Sequence, residues 1–343
     1  MRKIIVATIY AALLLSACNK EEVEQKVEEQ KPVVAEPEEV VTYKQPFTGE
    51  EVEKLSTQRP VIATINNHPA ARPQSGREAA DIVYEMLAEA EVTRFLALYQ
   101  SELPEQVGPI RSARSYFIDL AHGLDAFYIA HGYSPEAQTM LANGIVDHIN
   151  GMHYDGTYFK RSLDRIAPHN SYISKENILA GAEQVGASMT YNKQVGYAFY
   201  EADENVNEGT VASQVQVSYN PNPSFNSTYT YDEAGRYYKK SYANVEVTDL
   251  LTSDVVPIHN VLMYEMPHSI IDSYGRRDID ITDGGNAYIF QQGIMREIKW
   301  ENQDGVLVPV ESDGTQVKLS VGKTWIHFIP ESSGLSNIVT VIQ

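Results

Sequence analysis

The chain contains a single cysteine, Cys18, and this scarcity excludes several kinds of site. One cysteine cannot form an internal disulfide, and after residue 18 there is neither a cysteine nucleophile nor a cysteine-based metal site. The sequence also lacks a Walker A loop and a Gly-x-Gly-x-x-Gly fingerprint, so nucleotide binding has no support. We therefore expect no cofactor.

Positive charge is scarce as well. The chain has 27 Lys and Arg residues against 46 Asp and Glu residues, which gives a formal net charge of −19. Nucleic acids and extended membrane surfaces are bound through clustered cations, so neither is expected as a partner. A membrane is expected to hold this protein only through a lipid anchor.

The first 18 residues have the pattern of a bacterial lipoprotein signal peptide. Met1-Arg2-Lys3 is basic, residues 4–14 are apolar but too few to span a membrane, and Leu15-Ser16-Ala17-Cys18 resembles a lipobox. We predict that Cys18 is lipidated and that the protein lies at the extracytoplasmic face of the cell membrane. Residues 19–58, rich in Glu, Val, Lys and Pro, are predicted to form a flexible acidic tether of roughly 35 Å.

Residues 59–200 are predicted to form an α/β domain with a mixed, mostly parallel sheet. Short apolar runs predict strands, while Ala80, Val83, Tyr84 and Leu87 recur at helical spacing. Alternating strands and helices favour parallel pairing with right-handed crossovers. The predicted strands are residues 60–66, 92–100 and 126–131, and the predicted helices are residues 77–90, 112–123, 134–143 and 173–185.

Residues 211–343 are predicted to form a β-rich antiparallel domain, either a sandwich or a meander. Apolar and polar residues alternate in short runs that are separated by Gly or Asp-Gly turns, which is typical of half-exposed strands. The predicted strands are residues 215–219, 228–231, 236–239, 255–266, 287–291, 295–300, 306–310, 316–319 and 324–329.

Three polar segments follow apolar runs in the α/β domain: residues 66–76, 108–114 and 131–134. In open α/β sheets, ligands bind where strands end, so these segments are expected to meet at one site. Residues 59–165 also hold eight arginines and one lysine, whereas the rest of the chain holds five arginines and thirteen lysines. Because the Arg fork binds carboxylate or phosphate through two hydrogen bonds, we predict an anion-binding cleft. The candidate ligand-binding residues are Asn66, Arg72, Gln74, Arg111, Ser112, Arg114, His131, Ser134, His169 and Asn170.

The sequence around Arg111 and Arg114 predicts where these two arginines lie. Ser112 is expected to cap the helix at residues 112–123, which would place Arg111 and Arg114 at a helix N-terminus that already favours an anion. Arg94 lies inside a predicted strand and is expected instead to form a salt bridge with Glu85 or Glu89.

Several motifs, taken in order, resemble the YerB family of bacterial lipoproteins. The resemblance covers nearly everything after residue 58 and implies two domains of unknown function, a lipid anchor and an extracytoplasmic location. One departure is Glu89-Ala90-Glu91, where family members tend to carry glycines. The matching motifs are Arg59-Pro60-Val61, Ala71-Arg72-Pro73-Gln74-Ser75-Gly76, Ala80-Asp81-Ile82-Val83-Tyr84-Glu85, Thr93-Arg94-Phe95, Gly108-Pro109-Ile110-Arg111-Ser112-Ala113-Arg114, Ala167-Pro168-His169-Asn170 and Gly322-Lys323-Thr324-Trp325-Ile326.

Three functions remain open on this pattern. The first is binding of an anionic envelope component, either peptidoglycan or a wall polymer, or of a partner in wall synthesis. The second is a wall-directed hydrolase or transferase with His131 or His169 as general base and Ser112 or Ser134 as nucleophile. The third is a structural partner of a membrane-bound wall enzyme, with every arginine paired internally. A metal site at residues 147–155 and a calcium loop at residues 278–284 are less favoured than solvated loops.

Overall fold

The computed structural model describes residues 42–191, 193, 196–201 and 204–343. The predicted signal peptide, Cys18 and residues 19–41 of the predicted tether lie outside the described residues. Within the described ranges, no helix has both the length and the apolar character needed to cross a bilayer.

The first part of the chain, up to residue 184, contains ten strands and four α-helices among its described residues. They are β1 Tyr43–Lys44, β2 Glu51–Val52, β3 Val61–Asn66, β4 Ile82–Glu89, β5 Val92–Tyr99, β6 Gln106–Val107, α1 Ser115–Gly123, β7 Phe127–Ala130, α2 Pro135–Ala142, β8 His148–Asn150, α3 Gly151–Tyr154, β9 Phe159–Arg161, β10 Ser171–Ser174 and α4 Lys175–Gln184.

The regular elements of the second part are almost all strands, as the sequence predicts. Its elements are β11 Thr210–Val211, β12 Gln214–Val217, β13 Ser227–Asp232, β14 Tyr237–Tyr242, β15 Val245–Glu246, β16 Asn260–Met266, β17 His268–Ile270, β18 Arg277–Ile279, β19 Gly285–Gln291, β20 Ile294–Gln303, β21 Val306–Val310, β22 Thr324–Pro330, α5 Leu335–Ile338 and β23 Val339–Ile342. Residues 316–319, predicted as a strand, form only isolated bridges.

A mixed sheet of eleven strands organises the fold, in the order β11-β20-β19-β16-β22-β4-β5-β3-β7-β8 with β21 paired to β20. Parallel pairing joins β3 to β7, β7 to β8, β16 to β22 and β22 to β4. The sheet is mixed, as predicted, but it is not mostly parallel, because β5 is antiparallel to both β3 and β4. Alternate residues of β5 face two separate cores: Leu96 and Leu98 lie in one, and Phe95 and Ala97 lie in the other.

The helix predicted at residues 77–90 is wrong, because residues 82–89 form β4. This strand lies between β5 and β22, and every residue from Ile82 to Ala88 is buried. A strand covered on both faces reads as a continuous apolar run without alternation. Such a run also satisfies helical spacing, so periodicity alone cannot separate the two structures.

One sheet runs through both parts of the chain. Strand β22 pairs parallel with β4, and Thr324 lies opposite Ile82. Five further strands of the second part form an antiparallel sheet in the order β15-β14-β13-β12-β23, and β17 and β18 pair with each other in a separate two-stranded sheet. The boundary placed between residues 200 and 211 stays a prediction, but the two parts are not separated as sheets.

The tether predicted for residues 19–58 is wrong in its described portion. Strands β1 and β2 pair with each other, and Phe47 between them is only 1% exposed and belongs to the core. The sequence pattern did not indicate this, because two isolated aromatic residues, Tyr43 and Phe47, give no periodic signal in an acidic, valine-rich segment. The folded chain therefore includes residues well before Arg59.

Candidate functional site

The three polar segments meet at the carboxyl ends of β3 and β7, which are parallel neighbours. The amide of Asn66 donates to the carbonyl of Pro109 at 2.8 Å, and the amide of Arg111 donates to the carbonyl of Thr64 at 2.8 Å. The amide of His131 donates to the carbonyl of Arg111 at 2.9 Å. The second segment is therefore fixed between the ends of two strands, so Arg111 lies beside residues of both other segments.

Arg111 is the central cation of this region. It is half-buried, and its side chain forms no ion pair or hydrogen bond with any residue that the structure describes. Burial and the neighbouring Arg94 lower its pKa to about 10, so it remains charged at neutral pH. Burial lowers the pKa of His68, His131 and His169, and the charge of Arg111 lowers each of them further. A half-buried charge without a counter-ion is costly, so this position favours an anion.

Two histidines stack on each other next to Arg111. The ring centroids of His68 and His169 are 4.7 Å apart, and the ring planes are inclined at 23°. Nδ1 of His68 accepts a hydrogen bond from the amide of Ala70 at 3.2 Å. Asn66 donates from Nδ2 to Nδ1 of His169 at 2.8 Å, while its Oδ1 accepts from the amide of His68 at 3.0 Å.

These contacts fix the position of the proton on both rings. Because Nδ1 of each ring is an acceptor, each neutral ring carries its proton on Nε2. Neither Nε2 has a hydrogen-bond partner among the described residues. Two neutral N–H donors therefore lie near Arg111, whose charge lowers the pKa of both rings. We name the group Arg111, His68 and His169 the anion site. His68 is absent from the sequence-based candidates, although it lies in the first polar segment.

His131 is the third histidine whose pKa Arg111 lowers, and both of its ring nitrogens form hydrogen bonds. Nη2 of Arg161 donates to Nε2 of His131 at 2.9 Å, so the ring proton is on Nδ1. That proton is donated to Oγ of Ser171 at 2.7 Å. A serine that accepts from the histidine cannot pass its own proton to the same nitrogen, and Ser171 is only 1% exposed. This arrangement therefore does not activate Ser171 as a nucleophile.

Arg114, a predicted ligand-binding residue, is occupied by an internal contact. It forms an ion pair with Glu89, and Nη2 of Arg94 lies 2.5 Å from the same carboxylate. The predicted pairing of Arg94 with Glu89 is confirmed. Since Arg114 is only 4% exposed and already neutralised, we leave it out of the anion site.

Arg72 and Gln74 also lie elsewhere. Arg72 donates hydrogen bonds to Asn67 and to the carbonyl of Ser224, and Gln74 is fully buried and donates to the carbonyl of Asn66. The first polar segment turns away from Arg111 after His68, so these two side chains line a separate cavity that is described below.

The predicted capping role of Ser112 is wrong. Helix α1 begins at Ser115, and Arg114 occupies the N-cap position without a side-chain capping bond. Oγ of Ser112 lies 3.3 Å from the carbonyl oxygen of His131 and donates to it. Arg111 therefore owes its position to the strand ends and not to a helix N-terminus.

Ser134 and Asn170 hold the backbone around the site. Oγ of Ser134 accepts from the amide of Ala137 and caps α2. Asn170 is buried, accepts from Arg161 at 3.2 Å, and donates to the carbonyls of Ser162 and Arg165. Both residues fix loops that carry the site, and ligand contact by either stays a prediction.

Ion pairing divides the eight arginines of residues 59–165 into two equal groups, counted within the described residues. Carboxylates pair with Arg59, Arg94, Arg114 and Arg161. The other four have no carboxylate partner there: Arg72, Arg77, Arg111 and Arg165. A scaffold in which every arginine is neutralised internally does not fit this pattern.

The loop considered for a metal, residues 147–155, contributes to ion pairs instead. Asp147 pairs with Arg59, and Asp155 pairs with Arg161. In the part of the chain that the structure describes, no three His, Cys, Asp or Glu side chains are grouped so that they could hold a metal ion.

Comparison with known proteins shows the family of this chain. The family model described as the N-terminal domain of "Protein of unknown function (DUF3048)" matches residues 47–188, and the corresponding C-terminal model matches residues 215–326. The chain belongs to this family. The predicted resemblance to the YerB-like lipoproteins is confirmed by two comparisons with YerB of Bacillus subtilis.

The chain is 41% identical over 295 residues to the protein named "Putative lipoprotein YerB" of Bacillus subtilis (strain 168), with 85% of this chain and 88% of that protein covered. It is also similar to the crystal structure of the YerB protein from Bacillus subtilis, with a TM-score of 0.80 and 40% identity. That match covers 88% of this chain and 100% of the crystallised chain.

The turn at residues 89–91, where the resemblance implies glycines, is formed in this chain without a glycine. Ala90 adopts a positive φ of 49° at the turn between β4 and β5, a conformation that favours glycine. Glu89 beside it is the shared counter-ion of Arg94 and Arg114. The turn therefore supplies the carboxylate that pairs with both Arg94 and Arg114.

Proposed function

We propose that this member of the DUF3048 family is a lipid-anchored protein at the extracytoplasmic face of the membrane that binds an anionic component of the cell envelope. The anionic group, a phosphate or a carboxylate, is held at the anion site. Arg111 supplies the positive charge, and Nε2 of His68 and Nε2 of His169 supply neutral hydrogen bonds. The candidates for the bound component are peptidoglycan, a wall polymer or an acidic segment of a wall-synthesis partner.

This proposal rests on the charge of Arg111, which has no counter-ion among the residues that the structure describes. A guanidinium in a half-buried setting loses hydration, and its neighbours Arg94, His68 and His169 offer no negative charge in return. Among the described residues, the carboxylate beside His131 is that of Asp155, and Arg161 binds it at 2.9 Å. An anion at this position gains charge-assisted hydrogen bonds without displacing an internal ion pair.

The location rests on the N-terminal pattern and on the relative. Residues 15–18 resemble a lipobox around Cys18, and the Bacillus subtilis relative is named a lipoprotein. A lipidated cysteine would keep the anion site close to the membrane surface, where envelope polymers are assembled.

The test is anion binding by the full chain and by variants of Arg111. Inorganic sulfate and purified wall fragments are titrated calorimetrically into the native protein, the Arg111→Gln variant and the Arg111→Lys variant. Loss of one charge-assisted contact predicts that Arg111→Gln weakens binding about tenfold or more. Arg111→Lys retains the charge but not the fork, and it is expected to recover part of the affinity.

Arg296→Gln is the matched control, because it removes the same charge from β20, where Arg296 pairs with Glu311 at 2.7 Å. The control is expected to bind like the native protein. Equal binding by the native protein and by Arg111→Gln would eliminate the anion site. If Arg111→Gln and Arg296→Gln weakened binding equally, the loss would be due to the change in net charge and not to a specific site.

A further inference from the structure

A cavity lies beside the segment that follows His68 in the chain. It has a volume of 320 Å³ and is bounded by residues 69–77 on one side and by the β14–β15 hairpin on the other. Its walls are mainly apolar, with Pro69, Pro73, Val245 and Val247 among the lining residues. This volume is at the lower end of the range for small-molecule sites, roughly 300–1,000 Å³.

Two arginines in the cavity wall have no carboxylate partner among the described residues. Arg72 stacks on Tyr242, with Cζ 3.5 Å from the ring centroid, and donates to the carbonyl of Ser224 at 2.6 Å. Arg77 is 1% exposed and donates from Nη2 to the carbonyl of Thr248 at 2.6 Å. Both contacts hold the guanidinium groups in place without neutralising them.

Arg77 is also incompletely hydrogen-bonded. Its Nε and Nη1 have no hydrogen-bond partner within the described part of the chain. Asp249 is close enough to raise its pKa, although burial has the larger effect and lowers it. The carboxylate of Asp249 accepts instead from the amides of Leu251 and Glu78, at 2.9 Å and 3.3 Å. Buried donors left unpaired in this way are costly, and they mark a place where a ligand group is expected.

A buried acceptor in the same wall is unpaired as well. Gln74 is fully buried and donates from Nε2 to the carbonyl of Asn66 at 2.9 Å, which leaves Oε1 without a partner among the described residues. The cavity wall therefore offers two positive charges, one hydrogen-bond acceptor and an apolar surface. Glu246, the carboxylate that lines the cavity, is exposed at its mouth, where water screens its charge.

We propose that this cavity binds the carboxyl end of an acylated amino acid or peptide with an apolar side chain. The carboxylate lies against Arg77 and Arg72, the adjacent amide N–H donates to Oε1 of Gln74, and the apolar side chain packs on Val247 and the prolines. The site is separate from the anion site, because Arg111 does not line it.

Three probes separate the contributions of these groups in calorimetric titrations of the full chain. N-acetyl-leucine has the carboxylate, the N–H and the apolar body. N-acetyl-leucinamide lacks the charge, and 4-methylpentanoate lacks the N–H. We expect the first to bind at least about tenfold more tightly than the amide, because a hydrogen bond to a charged group contributes that much affinity. The acid without the N–H is expected to lie between them.

Two variants test whether N-acetyl-leucine binds in this cavity. Arg77→Met is expected to weaken N-acetyl-leucine binding about tenfold or more. Val245→Trp places a large ring at the exposed mouth and is expected to abolish binding without disturbing the core, since Val245 is 70% exposed. Val211→Trp is the matched control, a 56% exposed valine on another short strand, and is expected to bind normally.

Failure of this cavity proposal can be distinguished from failure of the proposed anion site. Arg111→Gln is expected to retain N-acetyl-leucine binding, and Val245→Trp is expected to retain sulfate binding. The proposal is overturned if the native protein does not bind N-acetyl-leucine, if the amide binds equally well, or if Val245→Trp binds like the native protein. If Arg77→Met does not fold, the comparison of Val245→Trp with Val211→Trp decides the question.

Discussion

Lys240 donates a hydrogen bond to Glu85 in the protein interior, where the side chains of both residues are fully buried. Glu85 belongs to β4 of the eleven-stranded sheet, and Lys240 belongs to β14 of the five-stranded sheet. Nζ of Lys240 also lies 3.9 Å from the ring centroid of Trp325, and the indole N–H of Trp325 donates to Glu85 at 3.0 Å. One buried ion pair thus joins the two sheets, and both parts of the chain contribute to it.

Breaking this pair from one side is expected to destabilise the protein strongly. Lys240→Met leaves the Glu85 carboxylate charged and buried, and such changes cost about 3–5 kcal/mol. The measurement is the free energy of unfolding in urea. Lys239→Met is the control, because Lys239 pairs with Asp232 at the surface, where solvent screens the charges and little stability is expected to be lost. The double variant Glu85→Leu with Lys240→Met is expected to recover much of the loss, and equal losses in the single and double variants would contradict this account.

The same pair predicts a dependence of stability on pH. Burial by itself raises the pKa of Glu85, but Lys240 and further donors lower it to about 2, below its ordinary value of 4.5. A carboxyl group with a lowered pKa in the folded state stabilises the protein above the ordinary value, and this stabilisation is lost as the pH falls from 4.5 towards 2. Urea unfolding between about pH 6 and pH 2 should show a steeper loss for the native protein than for Glu85→Gln. Parallel curves for the two proteins would contradict it.

The histidines of the anion site are expected to report on Arg111. Burial lowers the pKa of His68 and His169, and Arg111 lowers both further. Arg111→Gln should therefore raise both pKa values, and bound sulfate should raise them in the native protein, since an anion favours the protonated rings. NMR titration of the imidazole Cε1–H signals measures these changes. Arg296→Gln should leave both values unchanged, and identical titrations in native protein and Arg111→Gln would place Arg111 away from the rings.

The segment before Arg59 is expected to contribute to the stability of the fold. Phe47 is 1% exposed and lies in the core, so Phe47→Ala should cost about 3–5 kcal/mol in the free energy of unfolding. Tyr43→Ala changes an aromatic residue that is 46% exposed in the same segment, and its expected effect is within about 0.5 kcal/mol. If both changes had similarly small effects, the result would contradict this account and support the predicted tether for residues 42–58.

The sequence could predict that the polar segments meet at one edge of the sheet, but it could not predict which of their side chains are paired internally. Polar segments that follow buried strands meet because parallel strands end at the same edge of a sheet, and Asn66, Arg111 and His131 do meet there. Which arginines remain uncompensated depends on Glu89, whose place beside Arg94 and Arg114 is set by the turn between β4 and β5. No local pattern around Arg111 distinguishes it from Arg114, since the difference is a carboxylate from another part of the chain.

The sequence by itself determined the family, the lipoprotein pattern at Cys18 and the β-rich character of the second part, because these depend on motifs and on local alternation. Only the tertiary structure decided that residues 82–89 form a strand and that β22 pairs with it, since a run buried on both faces has no distinguishing period. It also decided that Arg114 has a counter-ion while Arg111 has none in the part of the chain that the structure describes. Charge compensation depends on distances between residues far apart in the chain, and those distances exist only once the sheets have assembled.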